Sequence, residues 1–181
     1  MAPSLIAFAG SRLLAHGPAP TVALAAKRAD RARRGPLLVF DAVTSLPVEL
    51  DLRGSDADVL ARLEPAPPKR LPGRPRLGVV AREVTLLPRH WDWLGDQPGG
   101  ASVTLRKLVE QARAQSMESD RVRLAREAAH RFMMAMAGDR PGLEEALRAL
   151  YAGDVDRVKA LSARWPVGIH RHLLTLLGRM G

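Results

Sequence analysis

The chain has 181 residues, 46% of them hydrophobic but only 4% aromatic, so any core must come mainly from Leu, Val and Ala, a composition that favours helix. It has no cysteine, which excludes disulfides, thiol catalysis and cysteine-based zinc sites. The net charge of +9 concentrates in the middle, where residues 66–113 carry nine basic and four acidic side chains.

Taken in order, Leu5–Ala9 and Arg12–His16 are two short apolar runs around Gly10-Ser11 and read as a hairpin. Thr21 is a candidate cap for a helix to about Arg34, closed by Gly35. Residues 36–40 form a buried strand. Leu46, Val48, Leu50 and Leu52 alternate with polar residues, which predicts another strand with one wet face. Ser55 with Asp58 three residues later resembles a capping box and opens a short helix that buries Val59, Leu60 and Leu63. The predicted N-terminal domain, residues 1–64, is therefore ββαββα. Its carboxylates, Asp41, Glu49, Asp51, Asp56 and Asp58, are explained by an exposed strand face and a helix first turn, without catalysis.

Residues 65–76 are rich in Pro and Arg and read as a linker or arm. Lys69, Arg70, Arg74, Arg76 and Arg82 follow one another with no acid between them, a natural surface for a polyanion. Residues 77–116 then read as strand, short helix, Gly turn, helix. Val84 and Leu86 lie on one face of the strand, with Glu83 and Thr85 on the other. Pro88 opens the first helix, on which Trp91 and Leu94 share a face, and Trp91 and Trp93 are expected to pack. Pro98-Gly99-Gly100 breaks it. Ser102 is the expected cap of the second helix, which carries Leu105, Leu108 and Val109 at helical spacing, with Arg106 and Lys107 beside them.

Residues 117–181 read as a small helical bundle. A helix capped by Ser119 runs to Ala137 with Phe132, Met133 and Met136 on its apolar stripe. Asp139 caps the next helix, Gly153-Asp154 restarts a third, and Pro166 precedes the last. His90 and His130 are isolated, and His170 and His172 diverge on a helix, so no metal site is expected. No Ser/His/Asp arrangement, phosphate-binding loop or dinucleotide glycine signature is present, and no cofactor is implied. No apolar run approaches the roughly 18 residues of a membrane span, and no signal peptide is visible. A cytoplasmic protein is expected.

Three resemblances follow from these residues. Gly73-Arg74-Pro75, with Arg70 and Arg76 close by, resembles the AT-hook, whose core lies along the A·T minor groove. The order of elements over about residues 77–115 resembles the ribbon-helix-helix family of DNA-binding dimers. That resemblance implies an intertwined homodimer joined by Val84, Leu86, Trp91, Leu94, Leu105, Leu108 and Val109. It also implies base contact by Thr85 and a phosphate near Ser102. The basic arm and its neighbours, Arg70, Arg74, Arg76, Arg82, Arg106 and Lys107, complete the expected DNA-binding set. Finally, the strings LVFDAVTSLPVELDLRGSDADVLARL and GRPRLGVVAREVTLLPRHWDWLGDQPGGASVTLRKLVEQAR, followed by a helical tail with ALYAGD, resemble domain-of-unknown-function family 2239 of bacterial proteins nearly end to end.

The expected fold is α+β. The expected function is a non-enzymatic, homodimeric DNA-binding protein, a transcriptional regulator. The alternative is a protein-interaction or antitoxin-like scaffold whose ribbon only dimerises, which Glu83 on the groove face favours, since an acid repels phosphate.

Overall fold

In a computed structural model the protein is described over residues 4–32, 35–64, 80 and 82–181. Two compact units are present: residues 1–65 with 119–181, and residues 66–118.

The first unit is built on a three-stranded antiparallel sheet in the order β2-β1-β3. β1 (Ser4–Ala9) and β2 (Arg12–Pro18) are the expected hairpin, turning at Gly10 with φ +56°. β3 (Leu37–Asp41) pairs with the other edge of β1. Because β1 is central, both its faces are buried, which accounts for its unbroken apolar run. Leu5 and Ala7 pack with Val39 and with Val22 and Ala26 of α1 (Ala19–Arg31). Ile6 and Phe8 point the other way, into a core shared with helices from the end of the chain.

Those helices are the second half of α4 (Gly100–Ala137), then α5 (Leu143–Ala152), α6 (Val155–Ser162) and α7 (Val167–Leu177). Phe132 and Met133 of α4, Leu150 of α5, Val158 of α6 and Ile169 and Leu173 of α7 are fully buried with Phe8. Residues 1–64 and 117–181, which the sequence presents as separate regions, thus contribute to one core.

Several sequence expectations need correction. The N-terminal sheet is ββαβ: residues 46–52 form no ladder beyond a single bridge between Phe40 and Pro47. The Val48 amide still donates to the Val39 carbonyl at 2.8 Å, but Pro47 has no N–H to give. The alternation sorted the faces from Val48 on, where Val48, Leu50 and Leu52 pack on the α1 side while Glu49 and Asp51 are exposed, but Leu46, expected on the buried face, is exposed. Thr21 is not the cap of α1, which starts at Ala19 behind Pro18, with Pro20 suited to its first turn, and ends at Arg31, before Gly35.

Ser119 is not the start of a helix but lies inside α4. α4 runs unbroken for 38 residues, because no Gly or Pro interrupts it and spaced ion pairs support its wet face. Arg113 meets Glu110 at 3.0 Å, and Arg123 meets Asp120 at 3.0 Å and Glu127 at 2.9 Å. Asp139 is not the cap of α5, which begins after Gly142, at φ +82°.

Other signals were met as read. The capping box closes on α2 (Asp56–Leu63): Ser55 Oγ accepts from the Asp58 amide, and the Asp58 carboxylate accepts from the Ser55 amide at 2.7 Å. Asp154 accepts from the Arg157 amide at 2.9 Å and caps α6.

Candidate nucleic-acid interface

The second unit presents α3 (Pro88–Gly95), a turn, and the first half of α4. Pro88 opens α3 behind Leu87, as expected from its fixed φ and missing N–H. The Gln97 side chain donates to the Trp93 carbonyl at 3.1 Å, and the Gly100 amide donates to the Gln97 carbonyl at 2.9 Å. Gly99 and Gly100 have φ of +91° and +71°, so the reversal needs residues without a Cβ. A Cβ at Gly99 would also come within 3.1 Å of Val103.

The predicted strand is not one. Among the described residues of the chain, 82–87 belong to no ladder. Leu94 is buried, Leu86 and Leu105 are half-buried, and the rest of the predicted dimer set is open to solvent. Val84 is 53% exposed, Trp91 42%, Leu108 43% and Val109 54%. Trp93 is exposed as well, so the expectation that both tryptophans pack does not hold within one chain.

Of the predicted DNA contacts, Arg70, Arg74 and Arg76, and with them the AT-hook-like core, lie outside the described residues. Arg82, Thr85, Ser102, Arg106 and Lys107 are all exposed. Ser102 is the third residue of α4, not its cap, because the helix starts at Gly100. Its amide still falls in the first turn, whose N–H groups find no acceptor inside the helix. Arg106 Nε donates to the Ser102 carbonyl at 3.1 Å, which draws the guanidinium back along that first turn. One cation and a helix start therefore lie together, an arrangement that suits an anion.

Asp41, Asp51 and Asp58 have structural employment. Asp51 is clamped by Arg53, with Nε and Nη2 each at 2.8 Å, and those bonds hold its pKa far below the usual range. Hydrogen bonds from Ser55 lower that of Asp58. Burial raises that of Asp41, but bonds from Thr44 and Val43 outweigh it and the net shift is downward. Groups so shifted are poor acid–base catalysts near neutral pH.

Sequence reasoning missed a Ser–His pair, Ser162 and His170 Nδ1 at 3.0 Å. Ser162 is fully buried and also bonds the Lys159 carbonyl at 3.2 Å. Its hydroxyl has one proton, and while that is given to Lys159 the serine can only accept from His170, the reverse of nucleophile activation. The pair ties α6 to α7. It could not be read beforehand because the residues are eight apart across Pro166. Among the described residues no group of three or more potential ligands could hold a metal, and no helix is long and apolar enough to cross a membrane.

A family model described as "Uncharacterized protein conserved in bacteria (DUF2239)" matches residues 4–177. The chain belongs to the DUF2239 family. The match spans both compact units, so this DUF2239 chain is a family member from β1 to the end of α7. It carries no ribbon-helix-helix assignment. No curated protein and no solved structure matches the chain.

Proposed function

We propose that this DUF2239 protein is a non-enzymatic, homodimeric DNA-binding protein, a transcriptional regulator, with its dimer and DNA contacts in the residues from Val80 through the first half of α4. The observation that carries the reading is the coincidence of an exposed apolar set with exposed cations in one small unit. Val84, Trp91, Leu108 and Val109 are each about half open, and Arg82, Arg106 and Lys107 occur among them in sequence. Large apolar side chains gathered on a surface mark an association face. Burying the open half of each contributes on the order of 1 kcal/mol.

The second copy is the favoured occupant because residues 82–87 keep the alternation of a strand and lead straight into α3. The same segment of another copy, antiparallel across a two-fold axis, supplies the ladder such a strand needs. A two-stranded ribbon of this kind, as in ribbon-helix-helix dimers, fits the major groove and turns Thr85 toward base edges. Arg106 and Lys107, with the amides near Ser102, supply phosphate contacts, and Arg70, Arg74 and Arg76 extend the basic surface.

The second reading, a scaffold whose ribbon only dimerises, is favoured by exposed Glu83 beside Thr85. Fluorescence anisotropy of labelled duplexes from random genomic sequence separates the two. A DNA-binding dimer binds at about 50 mM salt and loses affinity steeply by about 200 mM. Arg106→Ala/Lys107→Ala should lower that salt slope by about 2. A dimer that retains no duplex at low salt would end the DNA reading and leave the scaffold.

A further inference from the structure

We infer that a hollow between the loop before α5 and the end of α6 binds a small phosphate-bearing anion. It measures about 630 Å³, within the range of small-molecule sites, and three arginines line it, Arg140, Arg157 and Arg164. No acid lines it. Arg157 and Leu161 are four residues apart and Arg164 three further, so one face of α6 and its following turn presents two cations about an apolar residue. Neither of those guanidiniums has a hydrogen bond or ion pair among the described residues. Arg140 is half-buried, and its Nε lies 3.4 Å from an exposed Asp139 carboxylate without a hydrogen bond.

The walls are fixed. Trp165 is buried, and its indole N–H donates to the Pro141 carbonyl at 3.2 Å, which latches the loop to the end of α6. The Arg140 amide donates to the Ala137 carbonyl at 2.9 Å and the Trp165 amide to the Ser162 carbonyl at 2.9 Å. The three cations are thus carried on braced backbone, and less ordering is required when an anion arrives.

The ligand chemistry follows from the lining. Guanidinium forks match the paired oxygens of phosphate, and the unpaired Arg157 and Arg164, with Arg140 beside them, suit a doubly charged group better than a single carboxylate. Leu161, Trp165 and Pro141 give the hollow an apolar side for an organic body. The acids of this region, Asp139, Glu144 and Glu145, line an adjoining hollow that shares Arg140, Pro141 and Gly142 with this one, so Arg157 and Arg164 are the cations facing no acid.

Isothermal titration of the full chain with pyrophosphate and, separately, with a nucleoside diphosphate tests this. The first probe reads the charge alone and the second adds an organic body. Saturable binding of at least one is expected. It should weaken tenfold or more in Arg157→Ala/Arg164→Ala and persist in the charge-matched control Arg12→Ala/Arg28→Ala, whose exposed residues lie elsewhere. No saturable heat with either probe at millimolar concentration overturns the proposal, as does equal weakening in both variants. So does loss of duplex binding, rather than of the small anions, in Arg157→Ala/Arg164→Ala, which would assign the cations to nucleic acid.

Discussion

Phe8 of β1 and Phe132 of α4 meet with ring centroids 5.7 Å apart and planes tilted by 48°, both side chains fully buried. They are separated by 124 positions in the chain, yet they share one core. Phe40 adds an edge-on contact to the same Phe132 ring at 5.9 Å. The sheet of this DUF2239 protein therefore has its second face covered by the end of the chain.

Phe132→Ala should cost about 3–5 kcal/mol, from lost transfer energy and the cavity left behind. Chemical denaturation followed by circular dichroism checks this, with one transition expected for β1–β3 and the terminal helices together. A chain cut after residue 118 leaves Ile6, Phe8 and Phe40 without their cover and should lose that cooperative transition. A truncated chain that unfolds with unchanged midpoint would show that the sheet does not depend on Phe132.

Acid should weaken the fold through His172. Its ring is buried edge-on to Phe132 at 4.6 Å, and its Nε2 has no partner. Burial first, then His16 and Arg179, push its pKa down to about 4. The unfolded chain takes up a proton near pH 6.5, which the folded chain refuses until about pH 4. Stability should be full above that upper value and fall by about 1.4 kcal/mol per pH unit as pH drops through the window, flattening below it. His172→Leu should remove this limb. Urea midpoints for the two proteins from neutral pH down to pH 4 make the comparison, and parallel curves would assign the acid sensitivity elsewhere.

Lys27 is buried on α1, with Nζ 2.6 Å from the Gly54 carbonyl and 3.3 Å from Asp56. It joins α1 to the start of α2. Lys27→Met keeps the aliphatic stem but leaves that carbonyl only the long bond from Arg31 Nη2 at 3.5 Å, at a cost of about 2 kcal/mol. Thermal unfolding reads the loss, and hydrogen exchange should locate it at residues 54–58.

Local signals were the legible part of this fold. Ser55 with Asp58 and Asp154 announced helix starts correctly, since a cap is decided by residues three apart. Pro88 and Gly99-Gly100 likewise placed the turn between α3 and α4. Ser119 misled because a serine signals a cap only where the helix stops for other reasons, and inside α4 the ion pairs of Arg123 carry the helix on. The strand at 46–52 had the right alternation from Val48 on, but pairing depends on the neighbour, and Pro47 faces Phe40 at the decisive position.

The union of Phe8 with Phe132 was out of reach of periodicity, which shows that a face is apolar and not what covers it. In the candidate site, alternation and spacing singled out Val84, Trp91, Leu108 and Val109 as an association set, and the structure leaves all four exposed. Arg140 with Arg157 and Arg164, 17 and 24 positions further on, stayed invisible until the loop at Pro141 was seen latched to Trp165.

The association face can be probed by charge. Leu108→Glu/Val109→Glu places two acids on exposed positions of α4, so the chain should fold with an unchanged unfolding midpoint. If two copies meet there, like charges face each other across the two-fold axis and self-association should weaken a hundredfold or more. Sedimentation velocity over a dilution series compares it with the unsubstituted chain, and equal association of the two would move the interface off α4.

The account rests on a second copy covering the exposed residues around Val84 and Trp91, and light scattering coupled to size exclusion measures that directly. The unsubstituted chain should elute at twice its mass of 19.7 kDa across the micromolar range. A mass of one chain at every concentration, with Trp91 and Trp93 fluorescence unchanged on dilution, would contradict the dimer and the ribbon built on it.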